Sequence, residues 1–271
     1  MNIWAESASY FRGFTPDIDD ETYEAEFQKS LRGESTVFGM VGHKIYDRWQ
    51  RNTLFAEVVM RGGREADTAP VQRILSMTEA EKDLLMQTTL RQFGHMDDLT
   101  VNILSMNQLN IAVRAKTKMV LEVHESLIHE LDVDTVRMLS AEGFRVWADD
   151  VPFRRTHAVE HLKKLLPGLD GVKIGTTDLA KAFEVPLKKN PIDYPTAQTM
   201  LPADSGLYDE IIEFLVHLSK HHTDMKVVLE LAIPLELLPG PVRDLNLFIQ
   251  GGPDGARAYD IQRYASSMVA T

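Results

Sequence analysis

Residues 144–150 read FRVWADD, a run of β-forming residues that stops at two adjacent acids. The stretch decides the fold because it is one of a series. Working outward from it, Glu57 sits in LFAEVVMR (54–61), Asn102 in LTVNIL (99–104) and Glu122 in MVLEVHES (119–126). On the other side come Lys173 in GVKIG (171–175), Glu230 in KVVLELA (226–232) and Gln250 in LFIQGG (247–252). Each is an apolar run that ends in, or is interrupted by, one polar group. The runs predict eight strands, at 37–45, 54–60, 99–104, 119–123, 144–148, 172–175, 226–231 and 247–250. Between them, 78–93, 133–142, 157–166 and 208–221 carry apolar residues at helical spacing, several with acids early. Eight strands with interposed helices predict a TIM-like (β/α)8 barrel in preference to a doubly wound open sheet. No Gly-rich GxGxxG turn follows a strand and no GxxxxGK[ST] occurs, so dinucleotide and P-loop readings have no support.

In a barrel the carboxyl ends of the strands converge on one mouth, so these polar groups from distant parts of the chain would meet in an acidic, oxygen-rich pocket. Taken singly, each reads as a strand-end polar group facing solvent; their recurrence in strand after strand points to a shared site. Four or five carboxylates in one pocket repel each other unless protons or divalent cations neutralise them. Carboxylates plus an amide oxygen, with no Cys and no required His, are the ligands of hard cations such as Mg²⁺ or Mn²⁺. Two such ions can clamp a phosphodiester and activate a water for in-line attack, with a lysine to orient the water or hold the phosphate.

Composition bounds the partners. With 29 Lys+Arg against 40 Asp+Glu, the formal charge of the 271-residue chain is -11. Neither a nucleic-acid polymer nor a membrane is expected as a partner, because a broad electrostatic grip on either needs the opposite sign. The absence of cysteine excludes disulfide staples, zinc ribbons and thiol catalysis and suits a reducing compartment, so a cytoplasmic location is expected. Nothing reads as a signal peptide or a bilayer-spanning segment. No linker or repeat divides the chain, so 1–271 is read as a single barrel domain, with 1–33 as a helical N-terminal extension leaning on it.

Other features receive plainer readings. HAVEH at 157–161 spells HxxEH, but it lacks a third ligand and falls on a helix directed away from a mouth, so it is read as a solvated face. His221 and His222 suit a helix C-terminus. Met77, Met86 and Met96 read as core filler, and Trp147 as a residue alternating inward to pack the barrel wall. Arg154 and Arg155 could reach a phosphate or a partner's acid, though exposed arginines are commonly just solvated.

In their order along the chain, these fragments resemble the EAL-domain family, bacterial phosphodiesterases that open cyclic di-GMP to the linear dinucleotide pGpG. Glu57-Val58-Val59-Met60-Arg61 stands where that family has E-A-L-x-R, with both apolar positions changed to valine. Asn102 matches the asparagine of its "l-x-v-N-x-S" strand, although Ser105 falls one residue late. LEVHES at 121–126 is similar to "l-E-x-T-E-S", 148–150 to the Asp-Asp segment, 172–174 to "l-K-I-D", 228–230 to "v-A-E", and Gln250-Gly251 to the terminal "Q-G". The resemblance covers about 37–252 and implies an EAL-type barrel.

The resemblance also implies roles. Glu57, Asn102, Glu122, Asp149 and Asp150 would ligate two Mg²⁺ or Mn²⁺ ions. Lys173, Glu230 and Glu57 would be catalytic, and Arg61, Gln250 and Asp150 would bind substrate. Glu125 would organise the loop after the Asp pair. Cyclic di-GMP would be the ligand, and a homodimer is compatible with the family. A catalytically inactive sensor of cyclic di-GMP, or a protein-binding regulator with its own protein partner, is the alternative. This chain departs from the family pattern at four places. The Phe-Gly-Thr-Gly after Asp-Asp is here Val151-Pro152-Phe153-Arg154-Arg155, and in "E-G-V-E" the glycine becomes Leu231 and the second acid Ile233. The span from Asn102 to Glu122 is short, which predicts a barrel somewhat trimmed there, and a Pro-containing stretch between Thr176 and Tyr208 is longer than the family needs.

Overall fold

A computed structural model of the chain describes residues 18–35, 37–47, 53–62, 73–74, 76–185, 187–188, 198–231, 233–250 and 259–260. The first half of the expected N-terminal extension, Gly251, and much of the Pro-containing stretch lie outside the described residues. All eight expected strands are present. They are β1 (Phe38–Asp47), β2 (Thr53–Gly62), β3 (Leu99–Ile103), β4 (Val120–His124), β5 (Val146–Asp149) and β6 (Gly171–Ile174). After a small antiparallel pair, β7 (Leu187–Lys188) with β8 (Gln198–Thr199), the series ends with β9 (Lys226–Leu229) and β10 (Asn246–Gln250). Hydrogen bonding runs β10-β9-β6-β5-β4-β3-β2-β1, and β10 pairs again with β1 through Ile45 and Gln250, closing the barrel.

One strand departs from the all-parallel TIM arrangement. β1 runs antiparallel to both β2 and β10, while every other barrel pairing is parallel. The cause is connection length: only 48–52 separate β1 from β2, and a parallel crossover needs a dozen residues or more. A further strand, β11 (Tyr259–Asp260), adds to β1 at Val41 and Gly42.

The helices follow the sequence with four additions. α1 (Asp20–Ser30) starts where the Asp19 side chain accepts from Thr22 N, at 2.7 Å. Phe27 on α1, and Leu31 just after it, are wholly buried, and Phe27 meets Phe38 of β1 edge to face at 5.6 Å. α2 (Glu79–Phe93) opens with a reciprocal capping box between Thr78 and Glu81. α3 (Met106–Arg114) fills the short Asn102–Glu122 span with nine residues against fifteen in α2, which is the trimmed side. Ser105 falls one residue late because it is the N-cap of α3, accepting from Gln108 N at 3.2 Å. α4 (Glu125–Ile128), α5 (Val133–Ala141) and α6 (Thr156–Leu165) come next. α7 (Thr176–Phe183) occupies the start of the span between Thr176 and Tyr208 that holds the Pro-containing stretch, and is followed by α8 (Ser205–His221) and the short α9 (Gly240–Arg243). HxxEH lies on α6, where His161 Nε2 meets the Leu131 carbonyl at 2.8 Å and Glu160 pairs with Lys163.

Two apolar layers result. The larger lies between strands and helices; the smaller fills the barrel itself with Ile45, Phe55, Val120, Trp147, Val228 and Phe248. Trp147 is fully buried there and packs edge to face on Phe55 at 5.1 Å. Its bulk is accommodated by Gly171 on the adjacent strand, where a Cβ would stand 2.8 Å from Trp147 Nε1. Strand period two then does the rest: two residues beyond Phe55, Val120, Trp147, Gly171, Val228 and Phe248 come Glu57, Glu122, Asp149, Lys173, Glu230 and Gln250. The apolar plug is the floor on which those polar side chains stand.

Candidate metal centre at the barrel mouth

Lys173 occupies the middle of the mouth and is 1% exposed. Its Nζ lies 2.9 Å from Glu122 Oε2, 3.1 Å from Asp149 Oδ1, 3.2 Å from Glu57 Oε2 and 3.2 Å from Glu230 Oε1. Four strands thus deliver one carboxylate each to a single ammonium. Glu57 is held from both sides: Asn102 Nδ2 donates to its Oε1 at 2.6 Å and Gln250 Nε2 donates to its Oε2 at 2.5 Å. Gln250 is therefore turned toward Glu57 and is itself buried. These contacts join sequence positions as far apart as 57 and 250.

β5 stops at Asp149, and Asp150 adopts the left-handed conformation, with φ of 55°. Adjacent residues on a continuing strand would face opposite ways; the turn at Asp150, a residue type that tolerates this region, brings both carboxylates to the mouth. One oxygen each from Asp149, Asp150 and Glu230 lie within 4.8 Å of one another. Gly175 is required beside them, because a Cβ there would collide with Asp150 Oδ1.

Electrostatics record the crowding. Burial, followed by the charges of Glu57 and Asp149, pushes Glu122 up to about 8 despite Lys173. Asp150 is pushed up to about 7 by burial, then by Glu230 and Asp149. Glu230 is raised, again chiefly by burial. Burial works against the charged form of Lys173, but the surrounding carboxylates together outweigh it and hold the ammonium well above the usual lysine range. Five carboxylates around one ammonium leave a surplus of negative charge that protons or cations must balance.

The donor set suits a hard divalent cation. Asn102 Oδ1 and Glu122 Oε1 are buried with no hydrogen-bond partner, the condition a bound cation relieves, and the remaining donors are carboxylate oxygens. Among the described residues, Asp149, Asp150 and Glu230 form the acidic group with the spacing to hold an ion.

Of the expected site residues, Glu57, Asn102, Glu122, Asp149, Asp150, Lys173, Glu230 and Gln250 are gathered here. Arg61 continues β2 opposite Gly39 of β1, and its side chain lies outside what the structure describes. Glu125 opens α4 beside the mouth and pairs with Arg155 Nη1 of the substituted loop at 3.6 Å. Ile233, standing where the family has its second acid, is 1% exposed and belongs to the larger apolar core.

Two contributors escaped the sequence reading. Thr176 donates to Glu230 Oε2 from its backbone N and its hydroxyl, each at 3.3 Å, and so aims that acid. The available signal was its place at the start of a helix three residues after Lys173. Arg154, read as solvated, adopts φ of 67° and pairs with Asp204 and Glu210 of the α8 N-terminus. Its backbone N also donates to Glu210 Oε2 at 2.8 Å, so 151–155 is tied down at both arginines.

The barrel topology is that of the EAL-domain fold. Three of the similar solved structures illustrate the likeness. The EAL enzyme Bd1971 in its cGMP-bound form has a TM-score of 0.59 at 13% identity over 92% of this chain and 67% of its own. The PaMucR phosphodiesterase in complex with c-di-GMP has a TM-score of 0.58 at 14% identity over 90% and 99%. An EAL-domain protein from Listeria monocytogenes EGD-e has a TM-score of 0.54 at 16% identity over 94% and 100%. No family model and no curated protein matches the sequence. No helix among the described residues is long and apolar enough to cross a membrane.

Proposed function

We propose that this protein is a metal-dependent phosphodiesterase that hydrolyses cyclic di-GMP to pGpG. The observation that carries the reading is the Lys173 ammonium held by four carboxylates at a mouth where Asp149, Asp150 and Glu230 converge. Glu57, Asn102, Glu122 and Asp149 would hold one Mg²⁺ or Mn²⁺, and Asp149 with Asp150 a second. Such ions supply Lewis acidity and an activated water to a phosphodiester. The chain's own groups do the remaining work. Asn102 and Gln250 fix the direction of the Glu57 carboxylate, Lys173 provides a positive charge that cannot swing away, and Thr176 orients Glu230 as proton acceptor. Arg61 would meet a substrate phosphate, and Glu125 with Arg155 would shape the loop that borders it.

A second reading, a catalytically silent reader of cyclic di-GMP, is favoured by one observation: the loop after Asp150 contains Pro152 and is pinned by Arg154 and Arg155. Chromatography of cyclic di-GMP after incubation with the protein and Mg²⁺ or Mn²⁺ separates the two. Appearance of pGpG, abolished in Glu57→Gln, supports the enzyme. Nucleotide binding without pGpG under either metal supports the reader.

A further inference from the structure

Between β5 and α6 the chain makes one tight excursion bracketed by two non-glycine residues in the left-handed region, Asp150 with φ of 55° and Arg154 with φ of 67°. Left-handed backbone is unfavourable for a residue such as arginine and persists only where the surroundings hold it. The start of α8 supplies that hold. The Arg154 guanidinium pairs with Asp204, the residue that caps α8, and its Nη1 donates to Glu210 Oε1 at 2.9 Å. The Arg154 backbone N donates to Glu210 Oε2 at 2.8 Å. Gly206 leaves room for the guanidinium, since a Cβ there would stand 3.0 Å from Nη1. Next to it, the buried Phe153 ring meets Phe214 of α8 edge to face at 5.8 Å. At the other end of the excursion, Val151 N donates to the Lys173 carbonyl at 3.1 Å, and the Asp150 carboxylate fills the space over Gly175.

We propose that Arg154 is a positioning residue: docked on the start of α8, it holds residues 150–154 in the conformation that keeps the Asp150 carboxylate at the barrel mouth. The role rests on the mouth being the metal centre proposed above. An exposed ion pair alone contributes little, but here one guanidinium and its own backbone N–H engage two acids while a buried ring packs beside them. Only Val151, Pro152 and Phe153 separate the two left-handed residues, so the chain between them has little slack. Freed from α8, Arg154 has nothing to offset its backbone strain, and relaxation of that residue turns the short segment that carries Asp150. The carboxylate then leaves the space over Gly175, and its oxygen no longer keeps its place beside those of Asp149 and Glu230. A residue on the far side of the loop thereby sets the geometry of a candidate ligand that it does not touch.

Calorimetric titration of Mn²⁺ into chelator-treated full-length protein tests the role. Arg154→Ala keeps the left-handed strain and removes the guanidinium, so it should weaken Mn²⁺ binding by up to about tenfold, and by no more than Asp150→Asn does. Arg154→Lys should recover part of the loss, and Glu210→Gln, which leaves the arginine in place, should reproduce part of it. In an Asp150→Asn background Arg154→Ala should change Mn²⁺ affinity no further, because its effect runs through that carboxylate. Amide exchange over 149–155 in chelator, faster in Arg154→Ala than in wild type, reads the docking without any ion. Three results overturn the proposal: equal Mn²⁺ affinities in Arg154→Ala and wild type, a loss that persists in full in the Asp150→Asn background, or unchanged exchange. Assaying pGpG in the same samples separates this role from the hydrolase reading. Mn²⁺ binding that depends on Arg154, with no pGpG, refutes the hydrolase and supports the positioning role; pGpG formation with Mn²⁺ affinity indifferent to Arg154 does the reverse.

Discussion

Replacing Lys173 with Met is the most direct probe of the mouth. The ammonium lies 2.9 to 3.2 Å from oxygens of Glu57, Glu122, Asp149 and Glu230. At an effective dielectric of about 20, each such attraction is roughly 5 kcal/mol before desolvation. Taking the ammonium out of water costs several kcal/mol and the acids repel one another, so the net is far smaller than the sum. Met keeps the length and removes the charge, leaving the acids face to face. Removing one partner of a buried ion pair costs about 3–5 kcal/mol, and at about 2–4 °C per kcal/mol for larger domains the melting temperature should fall by roughly 6–20 °C.

The loss has a pH signature. Without the ammonium the acids keep their protons to higher pH, so the folded variant binds more protons than its unfolded chain near neutrality, and the deficit shrinks as pH falls from 8 to 5. Mn²⁺ or Mg²⁺ should recover part of it by replacing the missing charge. Circular dichroism melts at both pH values, with chelator and with Mn²⁺, measure all three effects. If Lys173→Met in chelator at pH 8 melts with wild type, the ammonium does not hold the acids together and the electrostatic account of the mouth fails.

Three further outcomes are expected. Asp149→Asn should weaken Mn²⁺ binding more than Asp150→Asn, since Asp149 sits against Lys173 while Asp150 hangs beyond the strand on a left-handed residue; calorimetry that ranks them equal or reversed moves the bridging role to Asp150. In metal-free wild type, Glu122 at about 8 and Asp150 at about 7 stay protonated where the unfolded chain has released both protons, so stability should fall as pH rises from about 5 to 8, and urea midpoints that rise instead would contradict those shifts. Gly171→Ala places a Cβ 2.8 Å from the Trp147 indole, an overpacking that should cost about 1–3 kcal/mol and alter the tryptophan fluorescence; full stability would show that the floor can yield.

Much of this was legible because the signal repeats. An apolar residue two places before a polar one, in six strands, marks both the floor and the mouth, and period two needs no tertiary knowledge. Trp147 and Asp149 were readable together for that reason. The direction of β1 was not read out, since alternation is the same either way along a strand and connection length alone decides it. α3 and α7 are short and start within three residues of a strand end, so their periodicity merges with the strand signal. Thr176 and Arg154 act through geometry set by helix starts and a positive φ, features that composition does not encode.

The closure of the barrel through β1 and β10 has a consequence for how the protein is made. Glu57 receives its second amide donor from Gln250, which is 193 residues later in the chain. At a synthesis rate of about 5–20 residues per second, roughly 10–40 s separate the emergence of the two partners. Throughout that interval β1 lacks its β10 neighbour, and once β9 has formed it too presents an unpaired edge, the kind of surface that invites pairing with another chain. Arrival of β10 satisfies both edges and completes the mouth in one event, so a nascent chain ending before β10 is at once an open sheet and an unassembled site.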